Sequence, residues 1–150
     1  MKEKSILLVE DNPDDIKLTQ WAFKKCGIVN PMVIIEDGAT ALEYLFGTGV
    51  YAGRDPADIP TVMLLDLNLP KIDGLEVLRR LRADSRTHRV PVVVLTSSNE
   101  DQDIITSYNL GSNSYVRKPV DYDQFLQAVN QLGLYWLLLN VAPSRSGPKT

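Results

Sequence analysis

Residues 61–70 read TVMLLDLNLP, and this segment decides the fold. The four consecutive apolar residues from Val62 to Leu65 are typical of a strand buried on both faces, and the run ends in a carboxylate, Asp66. Pro70 and the Asp73-Gly74 pair then end the strand and turn the chain into a helix. Open parallel sheets bind their ligands at the carboxyl ends of the strands, so the position of Asp66 indicates a functional centre.

The composition is that of an ordinary globular protein. The chain has 150 residues, which favours one domain, with 44% hydrophobic and 23% charged residues. A net charge of -3 gives no basic surface for nucleic acid or an anionic membrane. The single cysteine, Cys26, favours a reducing compartment, and no stretch approaches the ~20 apolar residues of a membrane span. We therefore expect a soluble cytoplasmic domain.

Short apolar runs alternate with helical patterns along the whole chain. Strands are predicted at residues 6–9, 32–35, 62–65, 92–95 and 114–117, each followed by a helix. This alternation predicts an α/β fold with a parallel sheet and helices on both faces. The domain is expected to span residues 1–142, followed by a polar, disordered tail at 143–150. The long irregular segment Gly47–Pro60 is interpreted as a tolerated surface insertion.

Polar residues follow four of the five predicted strands. Because parallel strands open onto one edge of the sheet, we expect these residues to converge: Glu10, Asp11, Asp66, Thr96 and Lys118. Three carboxylates repel one another unless a cation lies among them, and an all-oxygen cluster suits Mg²⁺. A divalent ion, a lysine and a hydroxyl are what a phosphoryl group needs around its oxygens, and a carboxylate can be the nucleophile.

This combination of residues resembles the receiver domain of two-component response regulators, over about Lys4 to Asn140. The resemblance implies a flavodoxin-like, doubly wound sheet of five strands in the order 2-1-3-4-5, with five helices and the site at the switch point. It also implies a protein that catalyses only its own phosphorylation and dephosphorylation. The Lys118-Pro119 peptide bond is predicted to be cis on the same grounds.

The resemblance assigns a role to each residue of the predicted site. Asp66 would be the phosphoacceptor, with Lys118 and Thr96 binding the phosphoryl group and Tyr115 moving with Thr96 as the switch. The Mg²⁺ ligands would be Asp11, Asp66, the main-chain carbonyl of Asn68 and, through water, Glu10. Glu10 departs from the pattern, because many members of the family carry aspartate there.

The Gly47–Pro60 insertion and the ending at residues 133–140 resemble small single-domain regulators that partner bacterial phytochromes. A sensor histidine kinase, specifically a phytochrome, is therefore the expected partner. Leu134 and Leu138 lie opposite the inward stripe of the last helix and suggest a homodimer or kinase contact through the fourth helix, fifth strand and fifth helix. Trp21 lies off the inward face of the first helix and either packs under a neighbouring element or contacts a partner.

Two other classes of protein use the same edge of such a sheet. An aspartate-nucleophile phosphohydrolase of the haloacid dehalogenase type needs a second acid two residues after the nucleophile, where this chain has Asn68. It also usually needs a cap region larger than residues 47–60. A flavodoxin-like electron carrier needs a phosphate-binding loop after the first strand, where Glu10 and Asp11 would repel the phosphate of FMN.

Overall fold

A computed structural model describes residues 4–96, 101–117 and 122–132 of the chain. The strands are β1 (Ile6–Val9), β2 (Met32–Ile35), β3 (Val62–Leu65), β4 (Val92–Thr96) and β5 (Ser114–Arg117). The helices are α1 (Pro13–Lys25), α2 (Gly38–Phe46), α3 (Gly74–Ala83), α4 (Asp101–Asn109) and α5 (Tyr122–Leu132). A single 3-10 turn lies at Gly49–Tyr51. None of the helices in these ranges combines the length and apolar composition needed to cross a bilayer.

All five strands run parallel in the order β2-β1-β3-β4-β5, which confirms the predicted topology. The chain crosses from β1 outward to β2 and then returns to the other side of β1 to start β3. The strand order therefore reverses between β1 and β3. In a doubly wound sheet this is the position at which the loops diverge and leave a crevice for a ligand.

Alternation along each strand divides the core into two halves. Leu7, Val9, Met63 and Leu65 pack on the side of α2 and α3. The intervening residues, Ile6, Leu8, Val62 and Leu64, pack on the other side with Phe23 of α1 and Phe125 of α5. β1 and β3 are buried on both faces, with every residue at most 2% exposed. Each such side chain contributes roughly 2 kcal/mol of transfer free energy, which makes these strands the rigid base of the site.

Helix α1 begins as its sequence predicts. The side chain of Asn12 accepts hydrogen bonds from the N–H groups of Asp14 and Asp15, at 2.9 and 3.2 Å, and Pro13 opens the first turn. Trp21 is partly buried and packs against the core half that holds Phe23. Of the two alternatives for Trp21, packing under a neighbouring element is therefore the one that the structure shows. Cys26 also packs there, and its Sγ lies 3.5 Å from the carbonyl oxygen of Leu126 in α5.

The 47–60 segment packs on the surface of the domain, and its interpretation as a tolerated insertion stays a prediction. Arg54 lies over the ring of Tyr44, 3.8 Å from the centroid, and donates hydrogen bonds to the carbonyl oxygens of Tyr44 (2.8 Å) and Asp58. The Tyr51 ring meets that of Tyr44 edge to face at 5.0 Å, and Tyr51 and Ile59 both pack on the core. The segment joins the end of α2 to the start of β3, at the amino-terminal edge of the sheet.

Helical spacing in the sequence predicts that Arg82 of α3 is largely solvated, like Arg79 and Arg80, but the structure shows it bound to neighbouring segments. Its guanidinium donates to the carbonyl oxygens of His88 (2.8 Å), Val90 (2.6 Å) and Gly111 (2.7 and 3.0 Å). A fifth hydrogen bond reaches Oδ1 of Asn113 at 3.3 Å. Burial lowers the pKa of Arg82 from its usual value. Arg82 thus joins the end of α3 to the loop between α4 and β5.

Candidate phosphoacceptor site

The two central strands deliver the acidic residues to one place. Val9 and Leu65 are paired in register, and the N–H of Asp66 donates to the carbonyl oxygen of Val9 at 3.0 Å. The N–H of Glu10 donates to the carbonyl oxygen of Ile35 on the other side, at 3.0 Å. Glu10 and Asp66 therefore leave adjacent strands at the same level, on either side of the position where the strand order reverses.

Glu10, Asp11 and Asp66 form a compact cluster of carboxylates. One carboxylate oxygen from each residue can be chosen so that all three lie within 4.8 Å of one another. Glu10 is 1% exposed and Asp66 is 5% exposed, whereas Asp11 is exposed to solvent. Three like charges at this separation, two of them withdrawn from water, require a neighbouring cation or proton to be stable. The structure thus brings together the three carboxylates as predicted, and the convergence of Thr96 and Lys118 with them stays a prediction.

The donors in this cluster fit a hard divalent cation. They are all oxygen atoms, and Mg²⁺ binds through one or two carboxylates while keeping several waters. The exposed side of the cluster at Asp11 leaves room for those waters. Thiolate and imidazole ligands, which zinc and copper prefer, are not part of the cluster.

The segment after β3 folds back on Asp66. The N–H of Asn68 donates to Oδ1 of Asp66 at 3.1 Å, and Asn68 itself is exposed. Gly74, the first residue of α3, donates its N–H to the carbonyl oxygen of Leu67 at 2.9 Å. A Cβ at position 74 would overlap the carbonyl oxygen of Asp66 and lie 2.7 Å from Cα of Leu67. Glycine is therefore required here by close approach. In the sequence, the Asp73-Gly74 pair indicates only a turn.

Another acid at this edge of the sheet, Asp37, is stabilised in its charged form by its surroundings. Asp37 caps α2 by accepting hydrogen bonds from the N–H of Thr40 (2.7 Å) and from its hydroxyl (2.8 Å). Burial alone would raise the pKa of Asp37, but these hydrogen bonds and the charge of Lys71 hold it below its usual value. Asp37 therefore stays ionised beside the site at neutral pH.

The remaining predicted site residues are described only in part. Thr96 is the last residue of β4, where it pairs with Arg117 of β5, and Tyr115 lies within β5. The side chains of Thr96 and Tyr115 are outside the described part of the structure. Lys118, Leu134 and Leu138 also lie outside the described residues, as do the Lys118-Pro119 bond and the predicted boundary at residue 142. The expected roles of these residues stay predictions.

Two basic residues outside the acidic cluster can be placed in the fold. His88 lies exposed in the α3–β4 loop, and its Nδ1 lies 2.9 Å from the carbonyl oxygen of Ser85. Arg117 occupies the last position of β5 in the register with Thr96. The side chain of Arg117 is outside the described part of the structure, and from the strand alternation we predict that it faces away from the site toward a partner surface.

Comparison with known proteins agrees with the geometry. Residues 6–130 match the family model described as "Response regulator receiver domain". The chain is 39% identical over 134 residues to the response regulator Rcp1 of Synechocystis sp. (strain ATCC 27184 / PCC 6803 / Kazusa), covering 89% of each sequence. The Mn²⁺-bound structure of Rcp1 superposes with a TM-score of 0.83 at 38% identity, covering 94% of this chain and 99% of that one.

Two further solved structures extend the similarity. The phosphorylated cyanobacterial phytochrome response regulator RcpA has a TM-score of 0.84 and 40% identity, covering 95% of this chain and 100% of that one. The bacteriophytochrome response regulator AtBRR is 50% identical, with a TM-score of 0.75, and covers 94% of this chain and 100% of that one. Receiver domains of this kind accept a phosphoryl group on an aspartate and work with sensor histidine kinases. The fold, the acidic cluster and the family match together establish that this chain belongs to the response regulator receiver domain family.

Proposed function

We propose that Asp66 is the phosphoacceptor and that a Mg²⁺ ion bound beside it assists the transfer. The observation that carries the proposal is the cluster of Glu10, Asp11 and Asp66 at the strand ends, with carboxylate oxygens within 4.8 Å of one another. The ion would be held by Asp11, Asp66 and the main-chain carbonyl of Asn68, with Glu10 reaching it through water. The Mn²⁺-bound structure of the relative Rcp1 supports a divalent metal in such a site.

The chemistry follows from the position of Asp66. A carboxylate oxygen of Asp66 attacks the phosphorus of a phosphohistidine, the P–N bond breaks, and the imidazole leaves with the electron pair of that bond. Burial of Asp66 keeps competing water away, and the N–H of Asn68 fixes the orientation of its carboxylate. Lys118 and Thr96 bind the phosphoryl oxygens in this proposal. The bound metal supplies charge neutralisation for the phosphoryl group.

The same site provides for signal output. Acyl phosphate at Asp66 draws the Thr96 hydroxyl toward it, and Tyr115 follows, so that the surface formed by α4, β5 and α5 changes. A partner detects the change only if it binds the two forms of that surface with different affinity. No separate substrate is turned over, because the reactions at this site are phosphorylation and dephosphorylation of the chain itself.

The partner is proposed to be a phytochrome-type sensor histidine kinase acting in the cytoplasm. Support comes from the similarity to RcpA and AtBRR, which are response regulators of phytochromes. A homodimer through α4, β5 and α5 is also proposed, with Leu134 and Leu138 at the contact. Tyr108 on α4 is 50% exposed, which is consistent with a contact surface on that side. The half-buried Trp21 of α1 is also proposed to contribute to the kinase contact.

The phosphohydrolase alternative has no support. Asn68 is exposed beside Asp66 and cannot act as the general acid that hydrolysis of a phosphate ester requires. The packed 47–60 segment lies at the amino-terminal edge of the sheet and so cannot cap the site. The flavodoxin alternative is equally unsupported, because Glu10 and Asp11 lie where the phosphate of FMN would bind.

Incubation with Mg²⁺ and a small acyl-phosphate donor tests the proposal. The intact mass is expected to rise by one phosphoryl group, and the increase is expected to disappear when a chelator removes the metal. The adduct should be labile to hydroxylamine, as an acyl phosphate is and a phosphoserine is not. Absence of an adduct at saturating donor and Mg²⁺, or turnover of a phosphate ester well above a blank, would overturn the proposal.

A further inference from the structure

A strained turn lies between β3 and α3. Lys71 has a φ of 69°, in the left-handed region that residues with a side chain seldom adopt. The N–H of Ile72 donates to the carbonyl oxygen of Pro70 at 2.9 Å, across this single residue. A hydrogen bond of this span around a positive φ is a γ-turn of the rare, strained form. Such a conformation persists only where neighbouring structure holds it in place.

The first turn of α2 is the neighbour that holds it. The N–H of Gly38 donates to the same carbonyl oxygen of Pro70 at 3.3 Å, and Nζ of Lys71 lies 3.8 Å from Oδ2 of Asp37. The approach of Gly38 is very close. A Cβ at position 38 would overlap the carbonyl oxygen of Ile72 and lie 2.8 Å from its carbonyl carbon. Any side chain at position 38 must therefore push the turn away from α2.

The rest of the segment has little freedom to absorb such a movement. Leu67 and Leu69 are buried in the core, and Ile72 packs against it. At its far end Gly74 rests on the backbone of Asp66 and Leu67. Asn68 lies between these fixed points, two residues before Pro70. A displacement of the turn therefore reaches the carbonyl of Asn68.

We propose that Gly38 and the γ-turn at Lys71 are positioning elements of the site, which hold the Asn68 carbonyl toward the acidic cluster. This inference rests on the proposed function, in which that carbonyl is a metal ligand. Gly38 and Lys71 touch neither the metal nor the phosphoryl group. Their effect is expected on metal affinity, because residues that support metal ligands commonly change affinity by about tenfold or more.

Two substitutions at position 71 separate conformation from charge. Lys71→Gly and Lys71→Val both remove the amine that faces Asp37, but glycine accepts a positive φ whereas valine does not. We expect Lys71→Val to weaken Mg²⁺ binding about tenfold by calorimetric titration. Lys71→Gly should bind Mg²⁺ like the wild type. Without metal, amide hydrogen exchange across residues 67–73 should be faster in Lys71→Val than in Lys71→Gly.

Gly38→Ala is the second test, with Gly27→Ala as its control. Gly27 has a φ of 76° and open space around it, so alanine there strains the backbone without touching the site. We expect Gly38→Ala to weaken Mg²⁺ binding and Gly27→Ala to lower only the thermal midpoint. Equal Mg²⁺ affinity in the two position-71 variants, or wild-type affinity in a folded Gly38→Ala, would overturn the inference alone. A wild-type protein that binds no Mg²⁺ would overturn the proposed function as well.

Discussion

Replacement of Arg82 by methionine should lower the free energy of unfolding of the domain. The loss should be larger than is usual for a substitution at a partly exposed position. The guanidinium makes five hydrogen bonds, four of them to the carbonyl oxygens of His88, Val90 and Gly111. Methionine keeps the apolar stem and removes every donor. The carbonyl groups then lose a charged partner that lies at the junction of three chain segments.

The magnitude follows from the number of carbonyl groups affected. A hydrogen bond from a charged donor contributes about 1.5 kcal/mol at the low end of its range, which suits groups that water can partly reach. Three carbonyl groups give about 4.5 kcal/mol, and the freedom regained by the side chain offsets about 2 kcal/mol. The expected loss in the free energy of unfolding is therefore about 2–3 kcal/mol. With a urea dependence of about 1–3 kcal/mol per molar, the midpoint should fall by roughly 1–3 M.

Urea denaturation of Arg82→Met and Arg79→Met provides the measurement. Arg79 lies on the same helix but pairs with Glu76 on the exposed face, so its replacement should leave the midpoint nearly unchanged. Amide exchange should also rise in Arg82→Met at Ser112 and Asn113, whose N–H groups donate to Ser107 and Val92. Equal midpoints for the two variants would refute the reasoning, because they would mean that the hydrogen bonds of Arg82 to the three carbonyl groups contribute nothing.

Three further predictions concern the site, the surface and the insertion. Gly74→Ala should weaken Mg²⁺ binding measured by calorimetry, because its Cβ would overlap the Asp66 carbonyl oxygen; Gly53→Ala, in open space, should leave affinity unchanged, and equal affinities would contradict the argument. Hydrogen bonds from Arg79 and Arg80 lower the pKa of Glu76 to about 2, so its carboxyl should titrate near that value by NMR rather than near 4.5. Because this pKa is lowered on folding, the associated stability is present above about pH 4.5 and is lost as the pH falls toward 2; a titration midpoint near 4.5 would contradict this. Arg54→Ala should increase amide exchange across residues 47–60 while Mg²⁺ affinity stays at the wild-type value, since the insertion lies at the other edge of the sheet; slow exchange as in the wild type would show that Arg54 does not hold the segment.

The sheet and its acidic cluster could be predicted from the sequence because both depend on local patterns. Continuous apolar runs such as Val62–Leu65 identify strands that are buried on both faces. Parallel strands bring their carboxyl ends to one edge of the sheet, independently of the conformation of the loops. Glu10, Asp11 and Asp66 could therefore be grouped before any distance was known.

The contacts that were missed join residues far apart in the chain or depend on backbone proximity. Arg82 reaches Gly111, 29 residues away, and no local pattern distinguishes it from the solvated arginines beside it. Arg54 packs on Tyr44 in a segment whose composition is that of an ordinary loop. The need for glycine at position 38 arises from the carbonyl of Ile72, which approaches it from a different element.

The most direct test of the central claim is the site of phosphorylation. Wild-type protein and Asp66→Asn would be treated with Mg²⁺ and the same acyl-phosphate donor, and their intact masses compared. Asparagine keeps the size of the side chain but removes the nucleophilic carboxylate. The account predicts one added phosphoryl group on the wild type and none on the variant. An Asp66→Asn protein that still carries the group at full occupancy would contradict it.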